Sequence, residues 1–229
     1  MSGSEPGRRR AGRPSTAVLT HERIVEAAFA QAEERGGEVS IAAIARRLGV
    51  QPPAIYNYFS SKAEVIAGMR GAIGRRIDST VFSRMPWQDA VIPWAREYLD
   101  ALGGNPGTIA AIATTPIDSE PESIEEYELI VNALRRDGYP EHRIVPALVA
   151  LESFIIGSAL DALTPEDNMS PARAPEQAPT LHRLEANSRQ AAAAAGLPMS
   201  RAVFEFGLTA LVAGLRALGA EEGDGGATP

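Results

Sequence analysis

Cysteine is absent from the 229-residue chain, which excludes disulfides, thiolate nucleophiles and Cys-ligated zinc and leaves His, Asp and Glu as metal ligands. Lysine occurs once, at Lys62; every other basic side chain is an arginine. No stretch reaches the roughly 18 uninterrupted apolar residues of a spanning helix. The segment from Ile144 to Leu160 is broken by Glu152, and the run after Phe206 stops at Arg216. The arginines near the N-terminus have no apolar segment behind them, so no export signal is visible. Walker, G-x-S-x-G and dinucleotide-binding motifs are missing. These absences imply a soluble, cytoplasmic chain with no membrane partner, no cofactor and no catalytic machinery.

Apolar residues at 45% and charged residues at 22% are ordinary for a globular protein, and the length suits one or two domains. The formal charge of −7 argues against a nucleic-acid partner only if it is evenly spread. It is not. Residues 1–76 carry 12 basic and 7 acidic side chains, a net of +5, while residues 77–229 carry 10 and 22, a net of −12. Such a division suits a basic part that meets nucleic acid and a second part with another task, or simply an uneven acidic surface.

Residues 1–17 mix glycine, proline and serine with Arg8, Arg9, Arg10 and Arg13, a composition that buries too little to order itself. This segment reads as a flexible basic arm, either a minor-groove contact or a solubilising tail. From Thr20, Ile24, Ala27, Ala28 and Ala32 fall on one helical face and Gly36-Gly37 stops the helix. Ser40 is placed to cap a two-turn helix carrying Ile41, Ile44, Ala45 and Leu48, which Gly49 ends. Pro52-Pro53 opens a third short helix, where missing N–H groups cost nothing. Ser61 and Glu64 form an S-x-x-E capping box for a longer helix, expected to run over 61–82. Beyond Pro86, helices are expected at 87–102, 108–113, 121–137, 142–163, 180–195 and 200–218. Residues 164–179 form a proline-rich loop and 219–229 an acidic tail.

Two short helices joined through Gly49 and packed on a preceding helix meet the requirements of a helix-turn-helix. The run from Ser40 to Phe59, including Ala45-x-x-x-Gly49-Val50, Ile55-Tyr56-x-Tyr58-Phe59 and then Lys62, resembles the N-terminal domain of TetR-family transcriptional regulators. Asn57-Tyr58 replaces the aromatic-histidine pair of some relatives, and Pro52-Pro53 stiffens the helix start, so no relative's operator sequence transfers. The resemblance implies an all-α fold of about nine to ten helices. In it a three-helix helix-turn-helix DNA-binding domain (residues 18–80, motif about 40–59) precedes a ligand-binding and dimerisation domain (81–218).

The resemblance also implies DNA contacts from Ser40, Gln51, Pro52, Pro53, Ala54, Tyr56, Asn57, Tyr58 and Lys62. Chemically, Gln51 and Asn57 suit base edges, adenine best, and Pro53 or Ala54 suit thymine methyls. The hydroxyls of Tyr56 and Tyr58 suit phosphates. Lys62 is the family's phosphate anchor, or otherwise a solvated lysine. Ser40 is a plain cap, a phosphate contact at a helix N-terminus, or both. Ile44, Leu48, Ile55 and Phe59 are scaffold.

For the second half, the resemblance implies a small-molecule inducer pocket and a homodimer built by the last long helix pair, here 142–163 and 200–218. Ile144, Leu148, Leu151, Ile155 and Leu163, with small Gly157, Ser158 and Ala159, and Val203, Leu208, Leu211, Leu215 and Leu218 serve either that interface or internal packing. Candidate pocket residues are Phe82, Met85, Trp87, Trp94, Tyr98, Ile109, Ile112, Thr115, Tyr127, Ile130, Phe154 and Ser158, because such sites are mostly apolar with a few placed polar groups. His142 and His182 lack metal-ligand spacing, and no metal site is expected. The acidic run from Asp118 to Glu128 suits a helix N-terminus. The reading that follows is a homodimeric repressor, released from a pseudo-palindromic double-stranded operator by an inducer. The alternative is an all-α carrier or enzyme in which the helix-turn-helix is only structural.

Overall fold

The computed structural model describes residues 18–116 and 121–220. The expected arm, Asp118 and Glu120 of the acidic run, and residues 221–229 of the tail lie outside the described residues. Within them the regular structure is wholly helical: α1 (His21–Glu34), α2 (Ile41–Leu48), α3 (Pro52–Tyr56), α4 (Lys62–Gly74), α5 (Val81–Arg84), α6 (Trp87–Gly103), a 3₁₀ turn (Pro106–Thr108), α7 (Ile109–Ala113), α8 (Pro121–Arg136), α9 (Glu141–Asp161), α10 (Pro179–Ala194) and α11 (Met199–Ala220).

Helix boundaries follow local chemistry. Thr20 caps α1 by accepting the Arg23 N–H at 3.2 Å. At the end of α2, Gly49 adopts φ +69°, its N–H reaching Arg46 O and the Val50 N–H reaching Ala45 O. That Schellman arrangement turns the chain sharply into α3.

The eleven α-helices exceed the nine or ten expected because the fourth does not continue to residue 82. It stops at Gly74, and the chain turns around Asp78. The Asp78 carboxylate accepts the Thr80 N–H at 3.1 Å and pairs with Arg84 at 2.5 Å, while its own N–H donates to Glu97 at 2.6 Å. A short aspartate that bonds the backbone two residues on competes with helix propagation. The apolar stripe Val65, Met69, Ile73 continues to Ile77 through this break, which is why periodicity alone overruns it.

One hydrophobic cluster runs unbroken from α1 to α11. Helix α4 is its hinge line, packing on α1 on one side and on α6, α7 and α8 on the other. A second junction lies at the 3₁₀ turn, where the Glu33 carboxylate accepts the Gly107 N–H at 2.7 Å. There Gly37, at φ +96°, leaves no room for a side chain: a Cβ would lie 2.1 Å from the Gly107 carbonyl oxygen.

Helices α9 and α11 are, by length and composition, apolar enough to cross a membrane. Each turns one apolar face into the bundle and leaves further apolar side chains exposed. Of the residues expected at a dimer interface, Ile144, Leu148, Leu151, Ile155, Ala159, Leu208 and Leu215 are buried within the chain and are therefore core. Val145, Val149, Leu160, Leu163, Val203, Phe206 and Leu218 are exposed instead.

Candidate DNA interface and ligand cavity

The head is built to hold α3 still. Ile44 and Ile55 are fully buried, Phe59 nearly so, and Leu48 packs at their margin. Behind the loop into α2, the buried Gln31 amide bridges two backbone groups, donating to Glu38 O at 2.7 Å and accepting the Ser40 N–H at 2.9 Å. Sequence reasoning misses Gln31, and a glutamine on the apolar face of a helix is the signal that marks it. The end of α3 is pinned to the start of α1. The Tyr58 hydroxyl donates to Leu19 O at 2.7 Å, and the His21 ring lies edge-on to both Tyr58 and Phe59.

Two of the expected contact residues show particular arrangements in the chain without DNA. Ser40 occupies the N-cap of α2 in extended conformation, but its side chain makes no capping hydrogen bond, because Gln31 organises the entry instead. Tyr58 has a single proton, and Leu19 takes it. In the chain without DNA, the Tyr58 hydroxyl therefore acts as a strut between the end of α3 and the start of α1. Gln51, Pro53, Tyr56 and Asn57 are exposed, Tyr56 by 50%, and Pro52 and Ala54 are half-buried. Lys62 is exposed as the first residue of α4. There Ser61 caps the helix by accepting the Glu64 N–H at 3.1 Å, and the Glu64 carboxylate accepts the N–H and hydroxyl of Ser60 rather than the N–H of Ser61.

The other end of α4 reaches a cavity closed by α6, α7, α8 and α9. Of the twelve candidate pocket residues, Trp94, Tyr98, Ile112 and Tyr127 line it. The other eight do not, for identifiable reasons. Phe82 packs edge-on against Trp94, Trp87 against Tyr139, and Phe154 stacks on Phe204. Ile109 and Ile130 are buried core, Met85 is exposed beyond α5, and the Thr115 hydroxyl bonds Ala111 O at 2.8 Å. Ser158 is half-buried on α9 and is not part of the wall.

What the aromatic criterion missed is polar. Arg70, Ser123, Glu126 and Glu152 line the cavity with Ile73, Gly74 and Ile77. Glu152, the residue that interrupts the apolar run of α9, receives the Tyr127 hydroxyl and, at 3.5 Å, that of Tyr98. Burial pushes the Glu152 carboxyl above its ordinary range, against the opposing pull of Tyr127, Arg70 and Tyr98. Burial and the Glu152 charge push both phenols up as well. Arg70 Nη2 donates to Ile112 O, tying α4 to α7. Glu126 accepts the Ser79 hydroxyl, tying α8 to the turn after α4. Among the described residues no group of three His, Asp or Glu side chains is placed to hold a metal.

With α3 supported from behind and its outer face open, the head has the form a major groove accepts: the chain is a helix-turn-helix DNA-binding regulator. Its residues 24–69 match the family described as bacterial regulatory proteins, tetR family, and residues 84–218 match the tetracyclin repressor-like C-terminal domain. The chain belongs to the TetR family of transcriptional regulators. It is 26% identical over 157 residues to the HTH-type transcriptional repressor DrrR1 of Streptomyces coeruleorubidus, a match covering 68% of this chain and 58% of that protein. The chain thus spans less than two thirds of that relative's length. A possible TetR-family regulator from Streptomyces coelicolor A3(2) superimposes with a TM-score of 0.68 at 24% identity, over 87% of this chain and all of that one. A TetR variant from Acinetobacter baumannii AYE in complex with minocycline gives 0.66 at 24% identity, over 89% and 96% of the two chains.

Proposed function

We propose that this chain is a repressor that binds a pseudo-palindromic operator as a homodimer and is released when a small molecule enters the α4–α9 cavity. The observation that carries the release step is the course of α4. It begins at Lys62 beside α3 and ends at the cavity wall, with Arg70, Ile73 and Gly74 on that wall. A ligand better accommodated by a tilted α4 shifts the population toward heads that no longer match the operator, and operator binding opposes ligand binding by the same free energy.

In this reading Gln51, Pro53, Ala54 and Asn57 read bases, while Tyr56, Lys62 and the amide end of α2 near Ser40 hold phosphates. The likeness to a named repressor and to a regulator solved with minocycline supports the scheme. The dimer rests on the outer faces of α9 and α11. Phe206 is 78% exposed and Val145 61%, with Val149 and Val203 near half, apolar side chains that association removes from water. A second copy covers that face and supplies the second recognition helix.

The test is binding of the full chain to the DNA immediately upstream of its own gene, titrated with salt against excess unrelated DNA, alongside sedimentation of the free protein. The expected result is a species of twice the chain mass and a complex that survives competitor and weakens steeply with salt. Binding no tighter than to random DNA contradicts the operator reading, and a monomer contradicts the dimer.

A further inference from the structure

Among the described residues, two fully buried side-chain atoms in the cavity wall lack a hydrogen-bond partner, and both are donors. Arg70 Nη1 and Trp94 Nε1 are buried without a hydrogen-bond partner, and both residues line the cavity. On the same wall, Oε1 of the Glu152 carboxylate accepts the hydroxyls of Tyr127 and Tyr98. A buried donor without a partner costs free energy that a ligand supplying an acceptor recovers. A group that carries only donors leaves both of these without a partner.

We propose that the cavity selects its ligand by an acceptor oxygen, of carbonyl, enolate or carboxylate type, seated between Arg70 Nη1 and Trp94 Nε1. This rests on the inducer-released reading above and specifies the inducer's chemistry. The inner space is about 20 Å³, enough for one small polar group and not for a whole ligand. A groove of about 280 Å³ adjoins it between α4, the Asp78 turn and α8, and shares Gly74, Ile77, Ser123 and Glu126 with it. The ligand's apolar body lies in that groove and its acceptor head enters past Gly74, where an added Cβ would come within 3.0 Å of the Glu126 carboxylate.

The chain has two tryptophans, so a proton–nitrogen spectrum of the labelled protein shows two indole N–H signals, separable with Trp87→Phe. Three small probes of matched size are titrated without DNA: salicylamide, salicylate and benzylamine. Expected is a saturable downfield shift of the Trp94 N–H with salicylamide or salicylate and none with benzylamine. Arg70→Met is expected to weaken that binding about tenfold or more, the equivalent of one charge-assisted hydrogen bond. Gly74→Ala, which leaves both donors in place, is expected to weaken it by narrowing the entrance. A Trp94 shift with benzylamine, no shift with any probe, or full affinity in Arg70→Met overturns the proposal. The readout involves no DNA. A protein that binds its upstream fragment but no acceptor probe therefore loses only this inference, and one that takes up salicylamide but ignores that DNA loses the repressor reading alone.

Discussion

The DNA-binding head and the ligand-binding body use polar side chains in opposite ways. In the head several polar groups bond near neighbours in sequence, Thr20 with Arg23, Ser61 with Glu64 and Gln31 with Ser40, while Tyr58 reaches back to Leu19. They close helix ends and leave few demands unmet. In the body, polar groups meet across the chain: Arg70 with Ile112, Tyr127 and Tyr98 with Glu152, Ser79 with Glu126. They are partly buried, and two buried donors in the cavity wall, Arg70 Nη1 and Trp94 Nε1, remain unsatisfied. The head is a rigid presenting device, while the body holds unmet capacity that a ligand can engage. Helix α4 belongs to both.

The comparison breaks first if the head is not rigidly packed. Ile55 is fully buried, so Ile55→Ala is expected to cost about 3 kcal/mol in urea unfolding and to abolish DNA binding. A loss under about 1 kcal/mol would mean α3 is not anchored by its core. Next in size is Gln31→Ala, which strands the Glu38 carbonyl and the Ser40 N–H. Its cost is about 2 kcal/mol, with DNA binding weakened while the cavity is untouched. Ser61→Ala removes the α4 cap at a cost of about 1 kcal/mol, checked by thermal unfolding.

The smallest effect sharpens the body's side. The Glu152 carboxyl is raised by burial in the folded chain, so the fold binds that proton more tightly than the unfolded chain does. Its contribution is fully present below the ordinary glutamate value and is lost as pH rises through the raised native one. Glu152→Gln removes the titrating group. Relative to the parent it is expected to gain stability as pH rises from the ordinary glutamate range toward neutrality, read from denaturant midpoints across pH. A parallel pair of profiles would show that Glu152 is not held above its ordinary range.

What is legible in the sequence follows the same division. The head's elements are set by interactions within a few residues, so Thr20, Gly49, Pro52 and Ser61 mark them directly, and the motif from Ser40 to Phe59 is readable from the residues alone. The end of α4 is not, because the Asp78 turn depends on Glu97, nineteen residues on, and the apolar stripe continues through it. The cavity is legible only in part. Aromatic side chains at helical spacing point to Trp94, Tyr98 and Tyr127, but equally to Phe82 and Phe154, which pack on other rings. The distinguishing residues are the polar ones inside apolar stripes, Arg70 on α4 and Glu152 on α9. For α9 and α11 the apolar residues are visible, but which face turns inward depends on α6 and α8, and the exposed Val145 and Phe206 emerge only from that packing.

The most direct test of the central claim, paired heads gripping DNA through the start of α4, is the salt dependence of operator binding in the parent and in Lys62→Ala. Removing one phosphate interaction from each head of a dimer is expected to reduce the slope of log affinity against log salt by about 1.8, roughly 0.9 per phosphate. An unchanged slope would mean that Lys62 meets no phosphate and would contradict the account.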